Sequence, residues 1–114
     1  MKKLLFGLGI LALIFFMSGR NVSSEPREYD NFTKCLTEAG AVMYGTNWCV
    51  HCQEQKGEFG KSFKYVDYVN CDINRADCIS AGVMVYPTWE IDGQLFPGSK
   101  SLQQLSQLSG CALD

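Results

Sequence analysis

Histidine is nearly absent from this chain: of 114 residues, only His51 is one. A structural zinc site takes four ligands, commonly two Cys-X-X-Cys pairs or one such pair with two histidines. Here there is a single pair, Cys49 and Cys52 in "WCVHC", with His51 inside it, and Cys71 and Cys78 have the wrong spacing for a second. Zinc is therefore set aside, and neither a resident metal nor a cofactor is expected. Positive charge is scarce as well, with 10 Lys and Arg against 12 Asp and Glu. A nucleic-acid partner needs a basic footprint, so that class is excluded. There is no internal repeat and no low-complexity segment. The apolar run "LLFGLGILALIFFM" covers residues 4–17, short of the roughly 20 residues that a spanning helix usually needs.

Lys2 and Lys3 precede that run, and a basic start followed by a short apolar stretch is the pattern of a secretory signal. "VSS" at residues 22–24 offers small residues where a peptidase would want them. Residues 1–24 are thus expected to be a signal peptide; an uncleaved N-terminal membrane anchor, with Ser18 and Gly19 extending the run, stays open. No cysteine follows the run closely, which speaks against a lipid-modified N-terminus. Residues 25–30 read as a polar tether and residues 31–114 as one folded domain. Without Lys2, Lys3 and Arg20 the 10 basic residues become 7 against 12 acidic, a surface unsuited to anionic lipid. The sequons at Asn21 and Asn31 are short enough to occur by chance. The expected location is extracytoplasmic: secreted, periplasmic or lumenal.

Six cysteines remain in this short chain: Cys35, Cys49, Cys52, Cys71, Cys78 and Cys111. An oxidising compartment permits disulfides, and an even count permits all to pair. Between the cysteines the pattern alternates. Asp30 is placed to cap a helix with Phe32, Cys35, Leu36 and Ala39 at helical spacing and Gly40 as its stop. "AVMYG" at residues 41–45 reads as a buried strand, and the Cys-X-X-Cys segment starts a helix ending near Gly60. "FKYVDYVNC" at residues 63–71 reads as a second strand, followed by a short helix that stops at Gly82. "TWEI" and "QLF" flank Asp92-Gly93, a strong hairpin signal. Ser101 with Gln104 forms a capping box for a last helix, with Leu102, Leu105 and Leu108 on one face and Gly110 at its end. Alternation followed by a hairpin implies an α/β domain: a mixed four-stranded sheet with helices on both faces.

Cys49 falls at the start of its helix, where unpaired N–H groups and the helix dipole favour an anion and hence a thiolate. Cys52, one turn further in, is more shielded and suits the resolving role. His51, as a cation or a donor, is expected to favour the thiolate further and with it the reduced form. A purely structural bridge is a weak alternative, because closing so tight a loop gains little. The pair reads as redox-active.

"WCVHC" followed by "VYPTWEIDGQLFPG" resembles the thioredoxin fold, with its active-site cysteine pair and its cis-proline strand. Over residues 32–111 the chain is most similar to the thioredoxin-like domains of vitamin K epoxide reductase homologues, which are fused or partnered to a four-helix membrane quinone reductase. The resemblance implies that Cys49 is the nucleophile, Cys52 the resolving thiol and Pro87 the cis-proline facing them. Tyr86 then offers backbone groups to an extended substrate. Trp48, beside Cys49, is either simple core or a partly exposed recognition surface. Three departures stand out. Val50 replaces the proline frequent after the first cysteine, and Met43 stands where thioredoxin carries a buried aspartate, the proton acceptor of the resolving thiol. This chain also bears no membrane reductase domain, so the resemblance implies a separate partner.

Cys71 and Cys78 are expected to form a structural bridge. For Cys35 and Cys111 two readings stay open, a buried free thiol on Cys35 or a bridge tying the ends of the domain together. The leading function is an exported thiol–disulfide oxidoreductase acting on protein thiols and disulfides, as oxidase or isomerase. A glutaredoxin-like reductase is the alternative within the fold, although "FPGSKS" lacks the glycine pair and acid of a glutathione site. A copper- or peptide-binding module without catalysis is the alternative outside enzymes, because soft thiolates select copper(I).

Overall fold

The computed structural model describes residues 29–113. The expected signal or anchor, and the tether up to residue 28, lie outside the described residues. Helix α1 spans Asp30–Glu38, strand β1 Val42–Gly45 and helix α2 Val50–Phe59; a 3-10 segment then runs over Gly60–Tyr65. Strand β2 is Asp67–Asn70, helix α3 Arg75–Ala81, strands β3 and β4 Thr88–Ile91 and Gln94–Pro97, and helix α4 Leu102–Ser109.

The strands form one mixed sheet in the order β2-β1-β3-β4. β1 runs parallel to β2 and antiparallel to β3, and β4 completes an antiparallel hairpin with β3. Asp92 and Gly93 both take positive φ, 53° and 78°, as a two-residue hairpin turn matched to the strand twist requires. Side chains alternate across the pleat, so Tyr68, Met43, Trp89 and Phe96 form one row of paired residues on one face. Against that row pack Phe32 and Leu36 of α1, Cys52 and Phe59 of α2, and Leu102 and Leu105 of α4. The other face carries Val42, Tyr44, Glu90 and Leu95, and α3 ends there at Gly82 beside the Leu95 side chain. Helices therefore cover both faces of a four-stranded mixed sheet, an α/β architecture of thioredoxin-like form.

Three local expectations are corrected. The second strand begins only at Asp67, because Phe63 and its neighbours form the 3-10 segment instead. Phe63 sits edge-on to Phe59 at 6.0 Å and to Tyr68 at 5.7 Å, so aromatic packing overrides its strand propensity. Asp30 is the first residue of α1 rather than its cap. Its carboxylate accepts the Ser62 hydroxyl at 2.6 Å, and Ser62 Oγ accepts the Tyr29 N–H at 2.8 Å, so a distant serine serves the helix start. Leu108 is exposed, and α4 buries only Leu102 and Leu105. The capping box at Ser101 and Gln104 is formed in both directions.

Candidate active site

Strand β1 ends at Gly45, and the Thr46–Trp48 loop delivers Cys49 to the N-cap of α2. Cys49 has extended backbone angles (φ −75°, ψ 123°), and its Sγ accepts the Cys52 N–H at 3.3 Å. The sulfur thus occupies the place that a serine or aspartate oxygen takes in an ordinary helix cap. As a thiol it donates to the Tyr86 carbonyl at 3.6 Å, and the Tyr86–Pro87 peptide is cis. Cys49 keeps 9% of its surface and Cys52 none. A substrate sulfur can therefore approach Cys49 alone.

Cys52 lies on the inner stripe of α2 with Gln55 and Phe59, at helical spacing. Its thiol is pushed up from 9.0 to about 11, first by burial, then by its hydrogen bond with and charge repulsion from Cys49; the Thr46 N–H and the Lys56 ammonium pull the other way. The sulfur reaches the sheet because β1 offers no side chain there: a Cβ on Gly45 would lie 2.8 Å from Cys52 Sγ. Gln55 fixes the helix behind it. Its fully buried amide accepts from Trp89 Nε1 at 2.9 Å and from the Lys100 N–H at 2.7 Å, and donates to the Lys100 carbonyl at 2.8 Å.

Trp48 is not core. It is 66% exposed, its indole N–H donates to Asp72 at 2.8 Å, and it meets the Tyr86 ring edge-on at 6.3 Å. Val50, Met84 and Val85 are also exposed around the cysteine pair and the proline turn. His51 is exposed and has Glu54 at 3.7 Å as its ionic partner; the polar partners of Cys49 Sγ are Cys52 N and Tyr86 O. The remaining cysteines are bridged, Cys35 to Cys111 and Cys71 to Cys78. Cys35 is accordingly not a free thiol. Among the described residues, no group of three or more His, Cys, Asp and Glu is gathered as a metal site. A cleft of about 380 Å³ between α2 and Ser99–Ser101 includes neither active-site sulfur.

Of the residues expected at the site, Trp48, Cys49, Cys52, Tyr86 and Pro87 lie together in the structure, while the His51 ring pairs with Glu54. Sequence reasoning missed Gly45, Gln55, Asn47, Lys56 and Tyr68. The only available signals were the i, i+3 and i, i+4 spacings of Gln55 and Lys56 from Cys52, which place both within a turn of the sulfur.

No family model matches the chain. It is 34% identical over 116 aligned residues, 93% of this chain, to a protein of Arabidopsis thaliana named thiol-disulfide oxidoreductase LTO1. The chain spans about 30% of that relative's length.

Proposed function

We propose that this chain is a thiol–disulfide oxidoreductase module that exchanges disulfides with protein substrates through Cys49 and Cys52. The observation that carries the reading is the asymmetry of the pair. One sulfur caps a helix at the surface beneath the Tyr86 carbonyl, and the other lies fully buried one turn behind it. The name of the Arabidopsis relative supports the same reaction class.

In the oxidising direction, a substrate thiolate attacks Cys49 Sγ, the Cys49–Cys52 bond breaks, and Cys52 takes its electron pair as a thiolate. A second substrate thiolate then attacks the mixed disulfide and releases Cys49. The substrate gains a disulfide and the enzyme is left as a dithiol, its two protons arriving through water. Reversing each step reduces a substrate. Trp48, Tyr86 and Pro87 are the proposed contact surface for an extended chain, and His51 is the proposed tuning residue between the cysteines.

The proposed direction is oxidase or isomerase in an extracytoplasmic compartment, with recharging by a membrane quinone reductase of the vitamin K epoxide reductase type. Two disulfides outside the active site suit an oxidising compartment. Met43, buried at the sheet centre, supplies no carboxylate to deprotonate Cys52 for reduction. Equilibration with glutathione is expected to give a potential between about −120 and −220 mV, and His51→Pro is expected to make it more reducing. A value near about −270 mV or below, with ready reduction by a thioredoxin-type donor, would make the protein a reductase instead.

A further inference from the structure

In either direction Cys52 must exist once as a thiolate, either leaving or attacking, yet it is wholly buried and Met43 offers it no base. The ring of Tyr68 stands next to that sulfur: the point where a Gly45 Cβ would sit is 2.8 Å from Cys52 Sγ and 3.5 Å from Tyr68 Cε1. Over the same ring lies the Lys56 ammonium, 4.3 Å from its centroid and 5.5 Å from that of Phe63. Asn47 Oδ1 holds the arrangement in place, accepting from Lys56 Nζ at 3.1 Å and from the Tyr68 hydroxyl at 3.1 Å. Lys56 follows Cys52 by four residues, so both project from the same side of α2.

We propose that Lys56, clamped by Asn47 over the Tyr68 ring, is a positioning residue whose charge stabilises the Cys52 thiolate as that sulfur enters or leaves the disulfide. The proposal rests on the redox reading above. An ammonium makes no bond in the reaction; half-buried here, it lowers the energy of a nearby anion by its charge. Tyr68 is not the base, because burial first, then the charges of Cys52, Asp72 and Cys49, push its hydroxyl up to about 12. It stays a donor at neutral pH. The ionisable groups facing Cys52 are thus Cys49 and Lys56 on its own helix and Tyr68 on β2, with Asp72 beyond Tyr68. From β1 and β3 the neighbours are Met43, Gly45 and Trp89, none of them charged. Lys56 is the one cation in the set.

Two readouts on the full chain test this. In a Cys49→Ser background, the titration of Cys52 is followed by the carbon shift of its labelled Cβ. Lys56→Met is expected to raise its midpoint, Lys56→Arg to keep it, and Asn47→Ala, which frees the ammonium without removing it, to fall between. In the disulfide form with both cysteines, exchange with reduced glutathione near neutral pH is expected to slow about three- to ten-fold in Lys56→Met and to recover in Lys56→Arg. The proposal is overturned if Lys56→Met leaves the Cys52 midpoint unchanged, or if Lys56→Arg behaves like Lys56→Met. The first result removes any field on the sulfur; the second reduces Lys56 to a packing role. Failure of the redox reading itself is distinguishable, because the unsubstituted disulfide form would then exchange with glutathione no faster than an ordinary structural disulfide, while the Cys52 titration still reports on Lys56.

Discussion

Cys52 and Gly45 share one small volume, and two consequences belong to that contact. A Gly45→Ala methyl would lie 2.8 Å from Cys52 Sγ, and the sulfur, held on a one-carbon arm in a packed core, has nowhere to retreat. Overpacking of this kind costs about 1–3 kcal/mol, and it moves Cys52 relative to Cys49. Urea unfolding of Gly45→Ala is expected to show a loss of that size, with slower disulfide closure; an unchanged midpoint would mean the strand yields freely. The second consequence is a pH dependence. The fold favours the protonated Cys52 thiol, raising it from 9.0 to about 11. Below 9.0 both states hold the proton and nothing is lost. As pH climbs from 9.0 toward about 11, the unfolded chain has released a proton that the native state keeps, so stability falls. Tyr68, raised from 10.0 to about 12 first by burial and then by the Cys52, Asp72 and Cys49 charges, adds an alkaline loss of the same sign that is smaller in the disulfide form, where the two cysteine charges are absent. Denaturant melts are therefore expected to show the dithiol form losing stability across that window relative to the disulfide form, which lacks the thiol. Parallel curves for the two forms would contradict this.

At the scale of elements, helix α2 is the part that positions the chemistry, and it was the least legible in its packing. Its start was readable from the cysteine spacing and its end from Gly60, but its buried stripe is Cys52, Gln55 and Phe59, and a glutamine does not announce itself as core. Gln55 is buried because its amide oxygen accepts from both Trp89 and Lys100 and its nitrogen donates to the Lys100 carbonyl, partners that only the folded chain brings near. β2 failed for a related reason: Phe63 and Tyr65 carry strand propensity, but Phe63 is taken up by Phe59 and Tyr68. The hairpin and α4 were readable because Asp92-Gly93 and the Ser101–Gln104 box act through local backbone geometry alone. Gln55→Leu leaves the Trp89 indole N–H and the Lys100 N–H without their partner. An unsatisfied buried donor costs about 1–3 kcal/mol. The substitution is expected to lower stability by about 2–4 kcal/mol and to shift the indole proton resonance of Trp89; a loss below about 1 kcal/mol would show that the network adds little.

Across the whole domain, the two bridges divide the work of constraint from the work of exchange. Cys35–Cys111 closes a separation of 76 residues and joins α1 to the segment after α4. In the chain-entropy account such a loop contributes about 4–5 kcal/mol, against about 2–3 for a loop as short as Cys71–Cys78. Cys71 and Cys78 are buried at 2% and 3% exposure, and Asp72, next to Cys71, holds the Trp48 indole. The short bridge thus steadies the loop that faces the active site. The central claim is that Cys49 is the sulfur that meets substrate and Cys52 the one that resolves the complex. Trapping tests it most directly: reduced Cys52→Ser, whose Cys49 thiolate can attack but whose resolving thiol is gone, is incubated with a disulfide-bearing protein mixture, and covalent adducts are mapped by mass spectrometry. The expected result is mixed disulfides that run through Cys49, dissolve on addition of dithiothreitol and are absent from Cys49→Ser. Adducts that persist in Cys49→Ser, or no adduct through Cys49, would contradict the account.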